Sequence, residues 1–214
     1  MADSMLRRYT NLASAMHILH NNEITLLNPQ NWDDRNDAFI MSEYKKRSVI
    51  KTILALCFAE SSETYHHWRV FSSGGDGVCI VFKKNELIDH IKESSGCVFR
   101  SVSYKPIKKI LNNGVIDAEL PFLKRIPYED EQEFRVIYTD YNNEKETHAI
   151  PISIKTIDKI YLSPWMPVPL KEAVKKTLKG IKGCGRLKIY RSGLIESERW
   201  KKAINPNLMV DNSE

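Results

Sequence analysis

Glu63–Phe82 reads ETYHHWRVFSSGGDGVCIVF: two adjacent histidines and a tryptophan, a glycine-rich loop, then an apolar run. How the glycines are read decides the fold. A phosphate-binding loop requires G-x-x-x-x-G-K-[ST] between strand and helix, and a dinucleotide fold requires G-x-G-x-x-G in the same setting. Here the glycines precede the strand VCIVF, and no Lys-Ser/Thr pair follows them. The stretch therefore predicts a helical turn through ETYHHWRVF, a tight SSGGDG turn and a strand, not the opening of a doubly wound sheet.

Upstream, LRRY reads as a short strand, and Asn11 can cap a helix LASAMHILH in which Leu12, Met16 and Leu19 recur at helical spacing. EITLL is a second strand, broken by the turn formers NPQNWDDRND, and VIKTILALCFAE has the β-branched content of a buried strand. Downstream come an amphipathic helix KKNELIDHIKES, a strand from Gly96 to Tyr104, and helix and loop from Lys105 to Arg125. EFRVIYTD, HAIPISI and IDKIYLSP read as strands, PLKEAVKKTLKGI as a helix stopped by Gly183, and LKIYRS as the last strand. Strands and helices mix without regular alternation. The expectation is one α+β domain over 1–205, a mixed and mostly antiparallel sheet flanked by helices, with a loose tail at 206–214.

With 42% apolar and 28% charged residues, the chain has the balance of a folded globular domain and not of a disordered one. A net charge of +5 permits an anionic ligand such as a nucleotide without demanding nucleic acid. No apolar run approaches the ~20 residues of a membrane span, and MADSMLRRYT lacks the apolar core of a signal peptide, so a cytoplasmic setting is expected. Cys57, Cys79, Cys97 and Cys184 are scattered without a C-x-x-C pair, which predicts reduced thiols and neither a disulfide framework nor a zinc site.

Three stretches could carry chemistry. His66 and His67 are neighbours, and neighbours on a helix point about 100° apart, so they cannot readily share a metal, and no metal site is expected. His67 and Trp68 could instead line a cleft and hold a nucleobase or nicotinamide by stacking, or Trp68 and Phe71 could pack the helix. YEDEQEFRVIY, Tyr128–Tyr138, places Glu131 and Glu133 at the mouth of a strand, where period two would put both on one face with Arg135 continuing it. Adjacent carboxylates serve acid/base work or a developing cation, and one pKa should rise unless a cation intervenes; the alternative is a surface salt-bridge ladder. Last, Lys175, Lys176, Lys179, Lys182, Arg186, Lys188 and Arg191 follow one another with no acid between them, an electrostatic footprint for nucleic acid or a solvated helix face.

The stretches RRYTNLASAMHILHNNEITLLNPQNWDDRNDAF, CFAESSETYHHWRVFSSGGDGVCIVF and LPFLKRIPYEDEQEFRVIY together resemble a prokaryotic and phage domain-of-unknown-function family, number twenty-nine seventy-one. They follow its order of tyrosine-rich strand, short helix, Cys-Phe-Ser, Gly-Val-Cys-Ile-x-Phe and E-x-E-x-R. Trp32-Asp33-Asp34-Arg35 stands where the family pattern reads Phe-Asn-Asp-Pro, so Arg35 is expected to change the turn beside Asp34.

Arg8-Tyr9-Thr10 on a first strand and Glu131-x-Glu133 on a late one also resemble the ADP-ribosyltransferase superfamily, although its Ser-Thr-Ser motif has no evident counterpart. That resemblance implies a split sheet and an enzyme that consumes NAD as substrate. It implies Glu133 and Glu131 as catalytic residues, with Arg8, Tyr9, Thr10, His67 and Trp68 around the NAD. His67 and Trp68 are expected to face the same cavity as Arg8 and Glu133. Asp34, Arg135, Lys175, Lys176 and Lys179 are the substrate-side candidates, and a nucleic acid or a protein would be the acceptor, in phage–bacterium conflict or as a toxin. Two other classes stay open: a non-catalytic nucleotide- or nucleic-acid-binding module, and a metal-dependent nuclease using Asp34, Glu131 and Glu133.

Overall fold

Asn11 closes the first strand, β1 (Met5–Asn11), and its side chain accepts a hydrogen bond from the Ser14 amide at 2.8 Å, which starts α1 (Leu12–Asn21). The computed structural model describes residues 4–72 and 74–206, so the tail expected to be loose lies outside the described residues apart from Pro206. After α1 come β2 (Glu23–Leu27), α2 (Arg35–Arg47), β3 (Thr52–Ala59), α3 (Tyr65–Phe71), β4 (Gly77–Lys83) and α4 (Lys84–Glu93). The second half runs β5 (Cys97–Ser101), β6 (Ser103–Lys105), α5 (Ile107–Asn113), β7 (Leu123–Arg125) and β8 (Glu133–Asp140). It ends with β9 (Thr147–Pro151), β10 (Ile157–Leu162), α6 (Val168–Gly180), β11 (Lys188–Arg191) and α7 (Glu198–Ile204).

Among the described residues nine strands form one mixed sheet in the order β11-β10-β4-β1-β3-β2-β9, with β8 on β3 and β5 on β8. Every pairing in it is antiparallel except β10 with β11. The sheet is the mixed, mostly antiparallel one expected, and β3 is held to β2 by the single pair Leu27↔Ala55 and to β1 by another. β1 is zipped to β4 from Met5↔Lys83 to Asn11↔Gly77, and β3 to β8 from Thr52↔Asp140 to Ala59↔Glu133. β1 and β3 themselves meet only at Arg7↔Ala59. Beyond that bridge the strands diverge.

One face of the sheet is the main core, where Ala15 and Leu19 of α1, Leu87 and Ile91 of α4 and Leu178 of α6 cover Leu6, Leu54, Leu56, Ile80, Phe134 and Val136. Full burial of each of the larger side chains among these contributes about 1.5–3 kcal/mol. The opposite face carries two smaller clusters. Met41 of α2 packs with Ile53, Ala55 and Ile137, while Trp68 of α3 packs with Tyr9, Ala59, Cys79 and Val81. A polar strip lies between them.

The glycine-rich stretch is a turn into β4. A Cβ at Gly77 would lie 2.7 Å from the Ser72 hydroxyl and 2.8 Å from its Cβ, so the glycine serves close approach. The single strand expected from Gly96 to Tyr104 is two, because the chain leaves the main sheet after Ser101 and β6 pairs in parallel with β7. α6 ends at Gly180, three residues before Gly183. Among the described residues no helix is long and apolar enough to cross a membrane.

Candidate active site

The parting of β1 from β3 opens a cleft of about 610 Å³ on the polar strip, within the ~300–1,000 Å³ of small-molecule sites. Its walls come from β1 between Arg7 and Asn11, the turn and helix start from Asn31 to Asp37, β3 from Cys57 to Ala59, Val70 and Phe71 of α3, and Lys124, Tyr128, Glu131 and Glu133. Arg8 Nη1 donates to the Cys57 carbonyl at 3.1 Å, a backbone acceptor on the strand from which β1 has parted. Burial lowers the pKa of this guanidinium. Thr10 and Tyr9 line the cleft beside it.

At the floor, Arg135 is fully buried and all five of its N–H groups are taken. Nε donates to Glu133 Oε1 at 2.6 Å and Nη2 to Glu133 Oε2 at 2.8 Å. Nη1 donates to Asp37 Oδ1 at 3.1 Å and to the Pro121 carbonyl at 2.9 Å, and Nη2 donates to Asp37 Oδ2 at 2.7 Å. The Trp32 ring covers the guanidinium, its centroid 4.8 Å away. Arg135, expected on the substrate side, therefore has no N–H left for a ligand.

Lys124 of β7 is the second cation. Its Nζ lies 2.5 Å from Glu131, 3.4 Å from Glu133 and 3.5 Å from Asp37. Glu133 and Arg135 share a face of β8 as expected, but Glu131 does not belong to that strand. It ends the 3-10 turn Ile126–Glu131, and Gln132, left-handed at φ 42°, separates the two glutamates. The pair is buried, at 5% exposure each, so the surface-ladder alternative does not describe it.

Cations do intervene between the carboxylates, and the two glutamates diverge. Burial alone would push Glu133 up, but the charge and hydrogen bonds of Arg135, with help from Lys124, outweigh it and hold Glu133 at about 2. Burial dominates at Glu131 and raises its pKa despite Lys124, with Glu133 and Asp37 adding to the rise. Lys124 would be lowered by burial, yet Glu133, Asp37 and Glu131 raise it.

His67 and Trp68 do not face this cavity. They are 1% and 0% exposed, beneath Tyr9, whose ring stacks on His67 at 5.3 Å and meets Trp68 edge-on at 5.3 Å. His67 Nε2 lies 3.1 Å from the Glu131 carbonyl, an acceptor only, so Nε2 carries the proton and Nδ1 accepts from the Thr64 hydroxyl. Burial lowers its pKa and keeps it neutral. Trp68 Nε1 donates to Glu63 at 2.6 Å. The pair is the packing behind the wall, and the aromatic side chain that α3 presents to the cleft is Phe71.

Asp34 lines the cleft and caps α2, accepting from the Asn36 amide at 3.0 Å. Arg35 takes the first helical position, which suits proline equally, and the Asp34 cap is intact with arginine there. Lys175, Lys176 and Lys179 lie on α6, away from the cleft lining. Among the described residues no group of three or more His, Cys, Asp or Glu side chains is disposed to hold a metal.

Asp37 and Lys124 are the site residues that sequence reasoning missed. Asp37 lies within the polar run NPQNWDDRND, and Lys124 follows the apolar run LPFL as a cation. Each reaches the strand only through tertiary contact.

Fold and site define a split-sheet α+β domain with a buried ionic cluster at the split. Residues 67–159 match the model of the family described as "Protein of unknown function (DUF2971)". The match covers Lys124, Glu131, Glu133 and Arg135, while Arg8 and Asp37 precede it. No curated protein matches the chain. Among solved structures, that of Thermus sp. 2.9 DarT in complex with carba-NAD+ is similar, with a TM-score of 0.45 and 11% identity over 90% of this chain and 97% of that one. The same protein in complex with ADP-ribosylated ssDNA gives a TM-score of 0.47 and 14% identity over 90% and 95%. At scores below 0.5 this likeness bears no functional weight.

Proposed function

We propose that the chain is an NAD-consuming, ADP-ribosyltransferase-like enzyme. One observation carries this reading: the Glu133 carboxylate is held ionised by Arg135 in the wall of a cleft that also presents Arg8. NAD is here a substrate. The bond between ribose C1′ and the nicotinamide nitrogen breaks, its electron pair leaves with nicotinamide, and positive charge develops at the ribose. A preorganised carboxylate stabilises that charge without reorganising as it forms. The 3.4 Å contact between Glu133 Oε2 and Lys124 is the one that a ribose hydroxyl can replace.

Arg8, with Tyr9 and Thr10, anchors a phosphate or ribose of the dinucleotide, and Phe71 takes the stacking role expected of His67 and Trp68. Glu131, whose pKa is raised, accepts the proton of the incoming nucleophile as that nucleophile bonds to C1′. Asp34, in the cleft lining, orients the acceptor. A nucleic-acid acceptor would meet the basic face of α6; a protein acceptor would not need it. Such a transfer suits a toxin or an effector in phage–bacterium conflict. Release of nicotinamide from NAD by the full chain tests the reading, with Glu133→Gln as its control.

A second reading is a non-catalytic nucleotide-binding module. It is favoured by the engagement of both Glu133 oxygens by Arg135. NAD binding of equal strength in the wild type and Glu133→Gln, with no nicotinamide released by either, would select it.

A further inference from the structure

We infer that Asp37 is a positioning residue that sets the orientation of Glu133 through the guanidinium of Arg135. The inference rests on the reading of Glu133 as the reacting carboxylate. Asp37 belongs to the first turn of α2, on the other side of the ionic cluster from β8, and it is 3% exposed. Its two oxygens accept from Nη1 at 3.1 Å and Nη2 at 2.7 Å, while Nε and Nη2 hold Glu133.

A guanidinium is a rigid planar fork, so fixing one edge fixes the direction of the other. With Asp37 removed, two buried N–H groups lose their acceptor, and an unsatisfied buried donor is costly enough for the plane to turn toward another. Glu133 would then lose the two bonds that aim it. Lys124 could not replace them, since its nearest contact is Glu131 at 2.5 Å and Glu133 is 3.4 Å away. Thus α2, which the linear pattern does not connect with the E-x-E strand, becomes part of the reaction geometry.

The test uses Asp37→Asn and Asp37→Glu in the full chain, with the Glu133 carboxyl carbon followed by NMR as pH is lowered. Besides Arg135, Glu133 is faced by Lys124, Glu131, Asp37, Cys57, Tyr104 and Arg8. Removing the negative charge of Asp37 would by itself lower the Glu133 midpoint. If Arg135 turns away, the midpoint instead rises from about 2 toward 4.5 in Asp37→Asn, and Asp37→Glu brings it back down. In the same variant nicotinamide release falls about 100-fold in kcat, as for a small misplacement of a reacting group, with KM for NAD within about twofold. A folded Asp37→Asn protein whose Glu133 titrates at or below the wild-type midpoint overturns the inference. If the wild type releases no nicotinamide, the reaction assignment fails, while the titration still decides whether Asp37 positions Glu133.

Discussion

Glu133 and Arg135, two residues apart on one strand, are joined by N–H···O bonds of 2.6 and 2.8 Å, and neither side chain is more than 6% exposed. Two charges this deep are stable only as a pair. Arg135→Met should therefore destabilise the fold by about 3–5 kcal/mol, the usual cost of stranding a buried partner. Chemical denaturation checks this, and a loss under about 1 kcal/mol would show that the carboxylates re-pair without Arg135.

Acid should act on the fold through the same carboxylate. The folded-state pKa of Glu133, about 2, lies below its ordinary 4.5, so its contribution is present above pH 4.5 and is lost as pH falls through about 2. That drop corresponds to about 3 kcal/mol. Glu131, raised by burial, works in the opposite sense and recovers part of the loss on acidification. Stability measured against pH should thus decline below about pH 4.5, and Glu133→Gln should flatten the decline. An equally steep acid limb in that variant would place its origin elsewhere.

Trp68 tests whether the His67–Trp68 pair is wall or ligand site. Trp68→Ala should cost about 3–5 kcal/mol, as for a fully buried aromatic side chain. The milder Trp68→Phe, once folded, should bind NAD within about twofold of wild type by calorimetry. A tenfold loss of affinity there would return Trp68 to the cleft.

The basic run on α6 makes a separate prediction. Replacing Lys175, Lys176 and Lys179 by glutamate should lower affinity for a single-stranded oligonucleotide about tenfold or more at ~50 mM salt and reduce its salt dependence. Unchanged affinity would leave α6 a solvated face.

Much of the sheet was legible because period-two patterning and buried apolar runs report strands directly: β3 and β8 fall within the stretches read for them, and β4 extends the strand VCIVF by one residue at each end. α2 was not, because its buried side is short (Asp37, Ala38 and Met41), while Phe39 points outward at 63% exposure. α7 buries no side chain at all. The site was half legible. Glu133, Arg8 and Arg135 carry their charge in recognisable patterns, whereas Asp37 and Lys124 matter only once the sheet brings α2 and β7 to β8. A polar aromatic pair such as His67–Trp68 looks functional in a linear sequence, but here the Glu131 carbonyl and Glu63 satisfy their polar atoms internally.

The most direct test of the central claim is nicotinamide release from NAD by the wild type and by Glu133→Gln, each shown to be folded and to bind NAD. The account predicts turnover by the wild type and loss of about 100-fold or more in kcat for the variant, since the carboxylate acts on charge that forms only in the transition state. Equal turnover by both proteins would contradict it.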